Sequence, residues 1–263
     1  MCGRYVLVQK VEVVESRFNV DANNNFQWNA NYNISPGTYA PVITSDKPKE
    51  LQLMQFGLTP FWAKKRMFLF NARAEGDRNK ENNPNYRESK GIITKPAFRK
   101  PIRSQRCLVI ADAFIEGSNL EGLKNPYLIY LKDKERPFAF AGIYDVWLDP
   151  KSGEELESFS IITTTSNELL QKIPHDRSPV ILPREKESQW LNDKTPLTEI
   201  TKMMYPYNSK LMNAYQISPK ISSSRNNYKE LINPLSKPLS EDDNLNVNKS
   251  LQLQGMGARK KYL

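Results

Sequence analysis

Hydrophobic positions fall in short runs along this chain, and their spacing changes several times. Residues 6–20 mix apolar and charged side chains at intervals that suit an early strand followed by a helix. Residues 21–33 are asparagine-rich and read as loop, ending in the turn signal Asn33-Ile34-Ser35-Pro36-Gly37. Strands are expected at 51–58 and 67–70, around a corner at 60–62. Residues 76–91 are polar, with Asn82, Asn83, Pro84 and Asn85 at their centre, and read as a surface excursion with room for one short helix. The middle of the chain is richest in strand signals, at 107–110, 127–131, 138–147 and 159–164. Few helical crossovers fit between these runs, so antiparallel pairing is expected. The capping-box spacing of Thr165-Ser166-Asn167-Glu168 predicts a helix start, and a second helix is expected over 185–191. Beyond Ser236 the pattern fades into a polar tail that ends Arg259-Lys260-Lys261 before the last two residues, and this tail is expected to be disordered. No internal repeat is visible.

Composition narrows the class. The 263 residues suffice for one large domain or two small ones. Hydrophobic content of 39% and a mean hydropathy of −0.63 suggest that part of the chain is unpacked. No apolar run reaches transmembrane length, and polar residues within the first ten positions speak against a signal peptide. Two cysteines 105 positions apart do not make a disulfide framework. An intracellular, reducing setting with no membrane partner is expected. The net charge of +9 and pI near 9.4 point to a polyanionic partner. Between residues 89 and 107 lie Lys90, Lys95, Arg99, Lys100, Arg103 and Arg106, with no acid among them. A nucleic acid fits such a run, against the alternative of a solvated face.

Candidate chemistry begins at Cys2. If Met1 is removed, the amine and thiol of Cys2 share one two-carbon unit. The amine of such a 1,2-aminothiol condenses with an aldehyde to a Schiff base, and the thiol then closes a five-membered thiazolidine ring. That closure is intramolecular and strongly favoured. An α-amino group, with a pKa of roughly 7.7–8.0, is also less basic than lysine at about 10.4. The competing reading is a small buried terminal residue. His175, the only histidine, sits in the polar, proline-bounded stretch Pro174-His175-Asp176-Arg177-Ser178-Pro179, where an imidazole can exchange protons near neutral pH. A lone histidine is more commonly structural. Glu116, flanked by Phe114 and Ile115, is either a desolvated acid or an ordinary strand-end glutamate. Asn71 and Arg73 could orient a substrate and grip a phosphate, or cap a turn. Cys2, Cys107 and His175 lack metal-ligand spacing, so no metal or cofactor is expected, and Cys107 reads as an inert core thiol. There is no Walker loop, dinucleotide fingerprint or Gly-x-Ser-x-Gly elbow.

Several fragments together resemble the SOS response-associated peptidase (SRAP) family of abasic site processing proteins. They are Met1-Cys2-Gly3-Arg4-Tyr5, Tyr32-Asn33-Ile34-Ser35-Pro36-Gly37-Thr38, Gly57-Leu58-Thr59-Pro60-Phe61-Trp62-Ala63 and Asn71-Ala72-Arg73-Ala74-Glu75. They continue with Lys95-Pro96-Ala97-Phe98-Arg99, Arg106-Cys107-Leu108, Phe138-Ala139-Phe140-Ala141-Gly142, Ile161-Ile162-Thr163-Thr164 and His175-Asp176-Arg177-Ser178-Pro179-Val180. The resemblance implies a single α+β domain over residues 1–234, with an antiparallel, barrel-like β core flanked by short helices, followed by the tail at 235–263. It further implies an abasic-site sensor that binds single-stranded DNA as a monomer, in the bacterial cytoplasm. The processed Cys2 would capture the ring-opened aldehyde as a covalent thiazolidine crosslink. Asn71 would position the sugar, Glu116 would act as acid and base, and His175 would assist proton transfer, including reversal. Arg4 and Arg73 would hold phosphates, Asn33 would join them on the DNA side, and Trp62 would serve as an aromatic wedge. The peptidase or hydrolase label would refer chiefly to removal of Met1, with lyase activity beside it.

The chain departs from the family pattern in places. Ala113, Ile115 and Gly117 stand where glycine, an aromatic and a tryptophan are usual. Phe56 replaces a commoner tryptophan, Ser178 a methionine, and residues 76–94 look inserted beside the groove. Two rival readings remain at this level. One is a cysteine-type peptidase acting on proteins, with His175 as base. The other is a non-catalytic single-strand-binding module in which Cys2 only packs.

Overall fold

The computed structural model describes residues 2–23, 26–88, 90–132 and 136–240. In chain order its strands are β1 (Tyr5–Leu7), β2 (Asp21–Ala22), β3 (Asn31–Ile34), β4 (Tyr39–Thr44), β5 (Glu50–Phe56), β6 (Asn71–Arg73), β7 (Arg106–Ala111), β8 (Ala113–Glu116), β9 (Tyr127–Leu131), β10 (Phe138–Leu148), β11 (Glu155–Thr165), β12 (Arg177–Pro179), β13 (Ile181–Leu182) and β14 (Met212–Gln216). The α-helices are short: α1 (Val11–Phe18), α2 (Pro101–Ser104), α3 (Glu168–Lys172), α4 (Arg184–Leu191) and α5 (Leu197–Lys202).

The long apolar runs of β10 and β11 pair antiparallel, and β7, β4 and β5 extend the sheet in that order. Parallel pairing of β11 with β5, at Ser158↔Gln55 and Phe159↔Phe56, closes these five strands into a barrel. The fold is therefore α+β in a single domain, with a closed five-stranded core. A second antiparallel sheet, β14-β9-β8-β1-β3, lies beside it. Antiparallel pairing dominates as expected, yet β2–β5, β5–β11 and β6–β11 are parallel.

Aromatic side chains fill the junction between the two sheets. Phe56 stacks on Phe159 at 5.2 Å, so phenylalanine at position 56 is accommodated by a ring partner of its own size. Tyr5 meets Phe56 edge-on at 5.7 Å and Phe140 at 5.8 Å. Each such pair contributes about 0.5–1.5 kcal/mol beyond the area it buries. These contacts fix β1, the strand three residues downstream of Cys2. Alternation along β8 then sorts its side chains. Ala113 and Ile115 face a small cluster with Leu128 and Tyr215, while Phe114 faces the main core. The period of two puts Glu116 on the same side as Phe114.

Several elements differ from the sequence reading. Residues 67–70 form only an isolated bridge, Leu58↔Leu69, and the strand is Asn71–Arg73 instead. The reason is tertiary: the β11 backbone at 161–163 offers a parallel partner to 71–73. Strand β3 lies inside the stretch read as loop, because its asparagines hide the pattern, and β4 had no forecast at all. Thr165 is still in β11, paired with Arg177, so α3 begins at Glu168. Its N-cap is Asn167, whose Oδ1 accepts from the Leu170 N–H at 3.1 Å. Among the described residues of 76–90 there are turns and no helix. The ends of this excursion meet, with Ile92 N donating to Ala74 O at 3.1 Å. A Cβ on Gly91 would lie 2.4 Å from the Glu75 carbonyl, so that crossing requires glycine.

The basic run splits by function. Arg106 is buried and donates to the carbonyls of Trp190 (2.6 Å), Asn192 (2.9 Å) and Ile102 (3.1 Å), clamping the end of α4. Lys90 is buried with Nζ 3.9 Å from the Tyr205 ring centre. The expected tail begins later than residue 235 in its contacts, since Leu235 N and Leu239 N donate to Gln216 O and Ala214 O along β14. Its remainder, 241–263, lies outside the described residues. Among the described residues no helix is long and apolar enough to cross a membrane.

Candidate functional site

Cys2 lies where β1 brings the chain start against β8. It is 1% exposed, and its carbonyl accepts from Asn71 Nδ2 at 2.9 Å. Asn71 begins β6, so its pairing with Ile161 sets where this amide reaches. The Cys2 thiol has the Glu116 side chain and the Arg4 backbone N–H as neighbours. Burial, reinforced by the neighbouring Glu116 charge, pushes the thiol well above its ordinary range. At rest it is a thiol, and sulfur needs a base before it can attack.

Glu116 is buried and reaches a second partner. His175 Nε2 lies 3.4 Å from Glu116 Oε2, and His175 Nδ1 is 2.8 Å from the Gly117 carbonyl. The carbonyl can only accept, so Nδ1 carries a proton and Nε2 is the nitrogen that faces Glu116. Burial lowers the imidazole from its ordinary value although Glu116 opposes the shift. His175 was expected in a proline-bounded polar stretch, and it is 5% exposed there. Residues 177–179 form β12, His175 N donates to Leu170 O at 3.1 Å, and Asn119 N donates to Pro174 O at 3.0 Å. A Cβ on Gly117 would sit 1.8 Å from the Gly122 carbonyl, which explains why no tryptophan follows Glu116 here.

Asn71 also opens outward. With Arg73, Trp62, Leu69, Lys80, Lys95 and Phe98 it lines a groove of about 480 Å³. Trp62 is 48% exposed at the groove. Its corner is pinned on both sides, by Phe61 N donating to Asp145 Oδ2 (2.9 Å) and Trp147 Nε1 donating to Ala63 O (2.7 Å). Lys95 is ion-paired with Asp77. A larger hollow of about 850 Å³, beside α1 and α4, contains none of the candidate residues.

The structure thus gathers Cys2, Asn71, Glu116 and His175, and puts Trp62 and Arg73 on the adjoining groove. Arg4 and Asn33 do not join them. Asn33 is 2% exposed and donates to the carbonyls of Ile221, Ser223 and Asn226 at 2.8–3.1 Å. Its amide clamps a loop, which corrects its expected place on a DNA surface. Arg4 Nη1 donates to Asn33 Oδ1 (3.2 Å) and Nη2 to Ser222 O (2.8 Å). Lys80, Phe98, Gly117 and the Glu75–Arg177 ion pair carry no role in the sequence reading. Phe98, Glu75 and Arg177 had a signal there, within motifs already quoted, and Gly117 stood as a departure from the family pattern, whereas Lys80 had none. Cys107 is a buried core thiol pushed up by burial. Among the described residues no group of three or more His, Cys, Asp or Glu side chains could hold a metal ion.

Comparison with known proteins adds a family. The profile of the SOS response associated peptidase (SRAP) family matches residues 1–224. The abasic site processing protein YoqW of Bacillus subtilis (strain 168) is 37% identical over 239 residues, covering 88% of this chain and 99% of its own. The abasic site processing protein HMCES of Rattus norvegicus is 32% identical over 241 residues, covering 77% of this chain and 64% of its own. A crystal structure of a protein from Bacteroides thetaiotaomicron superposes with a TM-score of 0.75 at 30% identity, covering 89% of this chain and 100% of that one.

Proposed function

This chain belongs to the SOS response associated peptidase (SRAP) family, and from that membership we propose that it captures abasic sites in single-stranded DNA as a thiazolidine crosslink to Cys2. The observation that carries the reading is the gathering of Cys2, bonded at its carbonyl by Asn71, with Glu116 beside it and His175 Nε2 3.4 Å from that carboxylate, next to a groove that Asn71 shares.

Cutting the Met1–Cys2 bond frees the α-amine. Its lone pair attacks the aldehyde carbon of the ring-opened sugar and gives a carbinolamine. A proton delivered from the Glu116–His175 pair lets the hydroxyl leave as water, and the nitrogen proton returns to the pair, leaving the imine. Glu116, beside the thiol, takes its proton as sulfur bonds to the imine carbon, and the ring nitrogen takes up a proton from the pair. The sum is aldehyde plus aminothiol giving thiazolidine plus water. Reversal runs the same transfers backwards, with His175 returning protons through Nε2. Proton transfer of this kind contributes typically ~10²–10⁴-fold. An abasic sugar has no base to read, so recognition falls to Arg73, Lys80 and Lys95 on phosphates and to Trp62 stacking on a flanking base. One chain carries all of these groups, so no second subunit is required.

The test is incubation of Met1-processed protein with a uracil-excised oligonucleotide, resolved on a denaturing gel. A covalent adduct is expected with the wild type and none with Cys2→Ser. No adduct with intact, processed wild-type protein defeats the proposal, and turnover of a peptide in trans would favour a protease instead.

A further inference from the structure

We propose that Glu75 is a positioning residue that ties Arg73 of the groove to Arg177 of the histidine strand, so that phosphate binding and proton transfer share one buried carboxylate. This rests on the abasic-site reading above. The Glu75 side chain is 1% exposed. Its Oε2 lies 2.9 Å from Arg177 Nη2 and 3.7 Å from Arg73 Nε, and its Oε1 accepts from Thr164 Oγ1 at 3.2 Å. Arg177 Nη2 reaches Thr163 Oγ1 at 3.3 Å as well.

Strand pairing creates this arrangement. Strand β6 sets Arg73 beside Thr163, and β12 sets Arg177 beside Thr165, so two cations flank the same strand. Each guanidinium raises the cost of charging the other, and a carboxylate between them removes that repulsion. Lys90 also bears on Glu75 and Asp176 on Arg177, so three cations face two carboxylates here and one positive charge is left over. Arg73 lines the groove with its side chain 31% exposed, while its Nε and Nη2 are buried against the fold without a hydrogen-bond partner there. The exposed part of this guanidinium suits a phosphate oxygen, which would balance the remaining positive charge. Arg177 follows His175 by two residues, and its pairing with Glu75 fixes the start of β12. The excursion at 76–94 leans on the same point, since Asn82 Nδ2 donates to Asp176 Oδ2 at 3.3 Å. Glu75 therefore restrains Arg73 and steadies the His175 segment together.

These two duties respond oppositely to loss of charge, which separates positioning from mere stability. Glu75→Gln frees Arg73, so affinity for undamaged single-stranded DNA should rise about threefold at low salt, with a log–log salt slope steeper by up to about one. The single-turnover crosslinking rate at saturating abasic DNA should fall about tenfold as the His175 segment loosens. Glu75→Asp keeps the charge, so its affinity should return to within about twofold of wild type while the rate stays reduced. Fluorescence anisotropy reads the first quantity and a quenched denaturing gel the second. Parallel loss of affinity and rate, or no change in either, overturns the proposal. If Glu75→Gln does not fold, Glu75→Asp decides: a rate equal to wild type overturns it. Absence of a wild-type adduct defeats the abasic-site reading separately, and the anisotropy arm still shows whether Glu75 restrains Arg73.

Discussion

His175 faces Glu116 at 3.4 Å through Nε2 and holds the carbonyl of the next residue, Gly117, through Nδ1. The two ends of one imidazole thus read adjacent positions of the same segment, so ring orientation and acid position are set together. Glu116→Gln keeps the size of the side chain but removes its ability to accept the thiol proton. Crosslinking should slow by about 10²-fold or more while binding to intact single strands stays within about twofold. Equal loss of both, measured by gel and anisotropy, would make Glu116 structural. His175→Ala should chiefly slow release of the adduct, and unchanged release kinetics would remove it from that step.

Gly117 sets the height of that imidazole. An added methyl would meet the Gly122 carbonyl at 1.8 Å, so Gly117→Ala must push the backbone away. Overpacking of this kind costs about 1–3 kcal/mol. The shift also moves the acceptor from His175 Nδ1, so both thermal stability and crosslinking rate should fall. Retention of a wild-type melting point would show that the 117–122 loop relaxes freely.

Of the five barrel strands β7, β10 and β11 were legible from short apolar or β-branched runs, as was β9 of the second sheet, whereas β4 was not. Strand β3 was not, since Asn31 and Asn33 look like loop until the carbonyls at 221–226 receive the Asn33 amide. The residues of the site were readable as types and as a family resemblance. Their juxtaposition was not, because it depends on alternation along β8 and on the parallel seat of β6. Local sequence also misjudged Arg106. A run of cations suggests a surface facing a polyanion or solvent, but carbonyls far along the chain bury this one.

Trp62 is carried on a corner held by its neighbours, with Phe61 N donating to Asp145 and Ala63 O accepting from Trp147. Its replacement should therefore leave the fold alone. Trp62→Ala should keep the melting temperature while weakening binding to single-stranded DNA by about 1–3 kcal/mol, the range for one stacked base. Trp62→Phe should recover most of the loss. An unchanged affinity in anisotropy would place the DNA elsewhere.

Asp112 gives a pH test of how β1 is held. It sits between β7 and β8, fully buried, and its Oδ2 accepts from Val8 N at 2.7 Å and Gln9 N at 3.2 Å. Burial raises its carboxyl to about 7 from an ordinary value near 3.8, although the two amides and the Arg136 charge pull the other way. An unfolded chain therefore ionises this group near pH 4, whereas the folded chain keeps its proton to about pH 7. Between those values the folded state binds the extra proton, so stability is full below pH 4 and declines as pH rises to about 7. The loss is of order 4 kcal/mol at most, at ~1.4 kcal/mol per pKa unit. Asp112→Asn cannot ionise, and its Oδ1 can still accept from both amides. Its stability relative to wild type should rise by several kcal/mol between pH 4.5 and pH 8 in urea titrations. His175 titrates in both proteins and cancels in the difference. A difference that does not vary with pH would show that Asp112 ionises as easily in the folded chain as in the unfolded one, leaving the Val8 and Gln9 amides to hold a full carboxylate.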